Sequence, residues 1–184
     1  MRVISGSARS VPLKTVSGDK VRPTTDIIKE TLFNILQFEL DNISFLDLFA
    51  GSGAIGIEAL SRGASFCYFV DSSKEAGNII EENLQKTKLD DKSKILIQDV
   101  RHINSSSDVA KYKYDIIFID PPYESNLYEV ALKVILKEKL LNDGGKIVIE
   151  MPVKKETDFV EELGFEIIKV KEYKSNKHIF CKEN

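Results

Sequence analysis

The sequence predicts an α/β fold: a mostly parallel sheet of seven strands with helices on both faces, finished by an antiparallel hairpin and preceded by a short β-hairpin arm. Three observations predict it. From Ser44 onward, apolar runs of strand length alternate with segments of helical periodicity, which is the pattern of a parallel sheet covered on both sides. Two further strand candidates, 165–173 and 177–181, are separated only by Lys174-Ser175-Asn176 and so pair as a hairpin. At the other end, residues 2–4 and 11–16 read as two short strands around a Ser/Gly/Arg loop.

Residues 1–22 form a basic arm, with Arg2, Arg9, Lys14, Lys20 and Arg22 against the single acid Asp19. Such a cluster suits phosphate contact, and equally suits a solvated hairpin. Residues 23–184 form the main domain. Residues 24–40 read as a helix, with Thr24 as its cap and Asp26 in its first turn, where a negative charge suits the helix dipole. Ile28, Leu32, Ile35, Leu36 and Leu40 fall on one face at helical spacing. The five strands that follow are expected at 45–49, 66–70, 94–97, 115–119 and 146–150. Helices are expected at 54–61, 74–86 and 127–139.

Composition sets the outer limits. A chain of 184 residues builds one domain with a substantial core. No apolar run approaches the ~20 residues of a membrane span, and the N-terminus lacks the apolar stretch of a signal peptide. Cys67 and Cys181 sit in apolar strands without a CxxC partner, and His102 and His178 lie far apart in sequence. Reduced core thiols in a cytoplasmic protein, ordinary polar histidines and no metal site are the expectation. A net charge of −3 gives no global electrostatic case for nucleic acid, so any such case rests on the arm.

Asp47-Leu48-Phe49-Ala50-Gly51-Ser52-Gly53 ends the first main strand and opens a helix, at the sheet edge where ligands bind. Gly51-Ser52-Gly53-Ala54-Ile55-Gly56 satisfies the dinucleotide fingerprint, and Asp71 follows about 20 residues later as a ribose acceptor. A nicotinamide-dependent oxidoreductase is therefore one reading, and a ligand-free turn another. Asp47, inside the strand, favours a cationic ligand over an anionic pyrophosphate. S-adenosylmethionine carries a sulfonium and an amino group. These residues resemble the first motif of the class I methyltransferases, a Rossmann-like fold. The resemblance implies that Phe49, Ala50, Gly51, Ser52 and Gly53 wrap the methionine part of S-adenosylmethionine and that Asp71 and Ser72 hold the ribose. It also implies that Asp99 accepts from the adenine amino group while Val100 lends apolar contact. Asp99 as a plain turn residue stays open.

The buried strand 115–119 runs into Asp120-Pro121-Pro122-Tyr123. An exocyclic amine on a nucleobase is a poor nucleophile because its lone pair is delocalised. Two acceptors, the Asp120 carboxylate and the Pro121 carbonyl, hold its N–H bonds and stabilise the charge that develops on nitrogen. The prolines fix those acceptors, and Tyr123 offers a ring for stacking. The segment resembles the Asp/Asn-Pro-Pro-aromatic motif of amino-methyltransferases, which names the reaction class but not the base.

Arg2-Val3-Ile4-Ser5-Gly6, Arg22-Pro23-Thr24-Thr25-Asp26 and Glu30-Thr31-Leu32-Phe33-Asn34-Ile35-Leu36 resemble the RsmD family of bacterial methyltransferases. The resemblance covers nearly the whole chain. It implies a monomeric enzyme acting on guanine N2 in 16S ribosomal RNA, within an assembling small subunit, with Arg9, Arg22 and Thr24 as RNA contacts. The family arm carries more basic residues around 6–10, and a basic residue commonly stands where this chain has Ile27. The runner-up is an adenine-N6 methyltransferase on DNA or RNA.

Overall fold

The computed structural model describes residues 1–16, 26–122 and 126–184. In chain order its elements are α1 (Asp26–Leu36), β1 (Ser44–Asp47), α2 (Ala54–Ser61), β2 (Phe66–Asp71), α3 (Lys74–Thr87), β3 (Ser93–Ile97), β4 (Tyr114–Ile119), α4 (Leu127–Glu138), β5 (Leu141–Pro152), α5 (Asp158–Glu162), β6 (Phe165–Glu172) and β7 (Asn176–Glu183). The strands make a seven-stranded, mostly parallel sheet ending in an antiparallel hairpin, as the strand–helix alternation predicts.

Two compact units divide the chain, Met1–Gln98 and Asp99–Asn184. In the first, the strand order is β3-β2-β1, all parallel. The middle strand, β2, buries Cys67, Tyr68, Phe69 and Val70 almost completely, which is why it reads as an unbroken apolar run. In the second unit the order is β4-β5-β7-β6, with β4 and β5 parallel and the two remaining pairings antiparallel. Here β5 begins well before the expected residue 146. Asn142-Asp143-Gly144-Gly145 looks like a turn, yet Leu141 pairs with Tyr114, and a register shift follows before Ile116 meets Lys146. The bulge absorbs the polar residues without ending the strand.

The helix expected over 24–40 spans Asp26–Leu36 in the described residues, and Thr24 lies outside them. Leu40 is buried beyond the helix end. The buried positions of α1 are Lys29, Leu32, Phe33 and Leu36, so a lysine occupies the core face.

The arm departs most from expectation. Instead of two strands it has one antiparallel bridge, Arg2 with Pro12, supported by Val3 N–H to the Val11 carbonyl and Leu13 N–H to that of Met1, both 3.0 Å. Pro12 brings no N–H to extend a ladder, and much of the arm's backbone bonds to α2 instead. Ser7 N–H donates to the Ser61 carbonyl at 2.8 Å, and Ala8 N–H to Ser61 Oγ at 2.9 Å. Ser61 Oγ donates to the Ser5 carbonyl at 2.6 Å. A helix C-terminus leaves carbonyls in need of donors, and the arm supplies one. The approach is close: a Cβ on Gly6, at φ +84°, would sit 1.7 Å from the Ser61 carbonyl oxygen.

A buried ion cluster fastens the same arm. Glu58 of α2 is fully buried. Its carboxylate accepts from Ile4 N–H at 2.8 Å, Ser5 N–H at 3.0 Å and Arg62 Nε at 2.7 Å, and lies 3.2 Å from Lys29 Nζ. Lys29 also donates to the Arg2 carbonyl at 2.6 Å. Burial pushes the Lys29 ammonium below its ordinary value while Glu58 pulls it back up. Satisfied this fully, the carboxylate is held by groups from the arm, α1 and α2 together.

Candidate active site

The glycine loop leaves β1 at Asp47 and enters α2 at Ala54. Gly51 (φ +54°) and Gly53 (φ +76°) take left-handed conformations that side chains disfavour. A Cβ built on Gly51 meets no heavy atom within 4 Å, so this stretch of the loop is open on one side. From within the unit the loop is held by Ala50 N–H to the Val70 carbonyl at 2.9 Å and Gly51 N–H to Asp71 Oδ2 at 2.8 Å. Gly56, the last glycine of the fingerprint, lets α2 lie against β2: its added Cβ would sit 2.3 Å from the Phe69 ring.

Asp47 is the last residue of β1, which stops two residues before the expected strand end at 49, and its carboxylate has a partner inside the fold. Oδ2 accepts from Gly56 N–H in the first turn of α2 at 3.0 Å. The helix N-cap is Gly53, which has no side chain to perform that task, so Asp47 caps the helix from nine residues away. The residue is only 2% exposed. Burial pushes its carboxyl up to about 7 against the Gly56 hydrogen bond, with further upward pressure from the Asp71 charge.

Asp71 is half-buried at the end of β2, and both its oxygens accept backbone N–H groups, from Gly51 at 2.8 Å and Ser73 at 2.9 Å. Each carboxylate oxygen retains a further acceptor direction. Ser72 beside it is exposed. Phe49 and Ser52 are half-buried, and Ala50 and Gly53 are buried.

In the second unit, Asp99 caps a short 3-10 turn, Val100–His102. Arg101 grips its carboxylate with Nε at 2.9 Å and Nη2 at 2.6 Å, and these bonds hold Asp99 down at about 2. Of the two roles the sequence leaves open, the side chain as it stands performs the turn role. Val100 is buried. Asp120 follows β4 half-buried, Pro121 is buried and Pro122 exposed, while Tyr123 lies outside the described residues. Arg9 is exposed on the arm turn, and Arg22, like Thr24, lies outside the described residues.

One polar group here escaped sequence reasoning. Ile119 of β4 pairs with Ile149 of β5, so Asp120 and Glu150 occupy corresponding positions one residue further on. Glu150 is buried and faces His178 across the β5–β7 pair. Asn176 Nδ2 donates to Glu150 Oε1 at 2.6 Å, and His178 Nε2 lies 3.0 Å from Oε2. Tyr173, its hydroxyl pushed up to about 12 by burial and by Glu150, keeps its proton and lies in hydrogen-bond contact with His178 Nδ1 at 3.1 Å. The sequence treats His178 as an ordinary polar residue; only the register of β5 against β7 reveals its partners. Among the described residues no group of acidic, His and Cys side chains could hold a metal, and no helix is long and apolar enough to cross a membrane.

A family model described as Conserved hypothetical protein 95 matches residues 1–182. YlbH of Bacillus subtilis is 39% identical over 150 residues, 82% of each chain. The ribosomal RNA small subunit methyltransferase D of Haemophilus influenzae is 35% identical over 155 residues, covering 82% of this chain and 78% of that one. Among solved structures, yhhF of Escherichia coli superposes with a TM-score of 0.84 at 26% identity, covering 100% of this chain and 97% of the other.

Proposed function

This chain belongs to the RsmD family, and from that premise we propose that it transfers a methyl group from S-adenosylmethionine to the exocyclic N2 of a guanine in 16S ribosomal RNA. Methyl transfer to ribosomal RNA from S-adenosylmethionine follows from the family; the guanine and its N2 are the finer reading. The observation that carries it is the match to the family over residues 1–182, in a chain whose buried strand β4 runs into Asp120-Pro121-Pro122.

The residues present fit the cofactor. The open side of the loop at Gly51 gives a ligand room for close approach. Phe49, Ala50, Gly51, Ser52 and Gly53 would hold its methionine part, Asp71 and Ser72 its ribose, and Val100 its adenine. Asp99 would take the adenine amino group only through the acceptor capacity that Arg101 leaves. Asp47, its carboxyl raised to about 7 by burial, would be drawn to its ionised form by a cation bound nearby. When bound, S-adenosylmethionine supplies a methyl group activated by a positively charged sulfur.

The chain's own part is to make the amine reactive. The Asp120 carboxylate accepts one N–H of the amine and the Pro121 carbonyl the other, which directs the lone pair outward. The same two acceptors would stabilise the charge that grows on nitrogen, and the Asp120 carboxylate would take its proton afterwards. Tyr123 would stack on the base. Exposed Arg9, with Arg22, would contact RNA from the arm and Thr24 from the start of the main domain, within a partly assembled small subunit whose loops let a base splay outward.

Adenine N6 is served by the same acceptors and remains the second reading. The test supplies labelled S-adenosylmethionine with small subunits, naked ribosomal RNA and DNA, and identifies the product by nucleoside mass spectrometry. N2-methylguanine in ribosomal RNA supports the proposal, and N6-methyladenine replaces it. Asp120→Ala should abolish turnover with cofactor binding largely kept; unchanged turnover would overturn the mechanism.

A further inference from the structure

Asn83 lies on α3, 1% exposed, and no part of the reaction calls on it. Its side-chain amide bonds two backbone segments distant in sequence. Its Oδ1 accepts from Lys14 N–H at 2.8 Å, and its Nδ2 donates to the Lys14 carbonyl at 2.9 Å. That is a two-point grip on the arm, 69 residues away. The same Nδ2 donates to the carbonyl of Ser52 in the glycine loop at 2.9 Å. One buried side chain therefore ties arm and loop together. Asp71 holds the loop at Gly51, so two neighbouring residues are fixed by two different side chains.

We propose that Asn83 is a positioning residue through which the arm and the glycine loop stabilise one another, so that docking of the arm and binding of S-adenosylmethionine are energetically linked. A loop containing two left-handed glycines has many alternatives to its binding shape. The Ser52 hydrogen bond selects against them. The Lys14 bonds in turn orient the amide: turning it by half a revolution would set an oxygen against both carbonyls and an N–H group against the Lys14 N–H. The linkage is reciprocal: a ligand that orders the loop tightens the arm, and an arm held by RNA tightens the loop. The proposal rests on the glycine loop being the S-adenosylmethionine site.

Three measurements on the full chain test it, of which only the steady-state kinetics needs RNA. Asn83→Asp keeps the acceptor for Lys14 N–H and removes both donated bonds. If the loop then holds its binding shape about a tenth of the time, affinity falls about ten-fold. Calorimetry should show that loss, and steady-state kinetics a raised KM for S-adenosylmethionine with kcat little changed. In the wild-type chain, saturating S-adenosylhomocysteine should slow amide hydrogen exchange at Lys14 more than at Val3, whose N–H bonds within the arm. Wild-type affinity in a folded Asn83→Asp chain overturns the proposal. So does an exchange rate at Lys14 that the ligand leaves unchanged, which decides the matter alone should the variant fail to fold. A wild-type chain that does not bind S-adenosylmethionine overturns the reading of the loop, and this proposal with it.

Discussion

Asp47→Asn isolates the energetic consequence of placing a carboxyl where water cannot reach it. In the folded protein the group sits at about 7 rather than its ordinary 3.8, because burial outweighs the Gly56 hydrogen bond. A folded-state value above the unfolded one means that the folded chain holds the proton more tightly. The associated stability is full below about pH 4 and is lost as pH rises through about 7. At about 1.4 kcal/mol per pH unit, the whole effect is on the order of 4 kcal/mol, of which about 3 kcal/mol falls between pH 5 and pH 8. Asparagine does not titrate, and its carbonyl oxygen can still accept from Gly56. Urea denaturation of both proteins at pH 5, 6, 7 and 8 gives the difference. The wild type should lose stability relative to the variant by about 3 kcal/mol across that range. For a chain of this size this is a relative fall of roughly 2–4 °C in Tm per kcal/mol. Parallel stability curves would refute the argument. A second consequence concerns the cofactor. A bound cation favours the ionised carboxyl, so binding near pH 7 should release a proton, seen as a dependence of the calorimetric heat on buffer ionisation enthalpy.

The other predictions concern single contacts. Glu58→Gln leaves Lys29 and Arg62 without their buried counter-charge and should cost about 3–5 kcal/mol in denaturant unfolding; a loss under 1 kcal/mol would mean that the cluster is solvated. Asp71→Ala removes both the ribose acceptor and the partner of Gly51 N–H, so S-adenosylmethionine affinity should fall about ten-fold or more, and wild-type affinity by calorimetry would remove both roles. Arg9→Ala should weaken RNA binding and lower the salt dependence by roughly one phosphate contact. Its affinity for S-adenosylmethionine should not change, and a changed cofactor affinity with unchanged RNA binding would make the arm turn structural. Arg9→Ala is a cleaner test than removing residues 1–22, because losing the arm would also strip Glu58 and Asn83 of their partners.

Strand–helix alternation, the terminal hairpin and the positions of the glycine loop and Asp120-Pro121-Pro122 were legible in the sequence because each is written in neighbouring residues. Periodicity over a few turns locates α2 and α3, and Lys174-Ser175-Asn176 between two strand-like runs leaves room for a tight connection. Element ends were less legible where local signals mislead. Asn142-Asp143-Gly144-Gly145 looks like a turn, but pairing of Leu141 with Tyr114 carries it into β5. Pro12 sits in an apparent strand, but the arm finds its hydrogen bonds on α2.

The sequence by itself nominated residues for the two candidate halves of the reaction and the chemistry proposed for them. Tertiary structure decided what those residues hold on to. Asp47 reads as a carboxylate for a cationic ligand and is found capping α2; Asp99 reads as an adenine acceptor and is found gripped by Arg101. Glu58, Asn83 and His178 each have a partner that no local pattern reveals, 54, 69 and 28 positions away. A carboxylate or amide accepts any donor that folding brings within about 3 Å, and nothing in the flanking residues says which donor that will be.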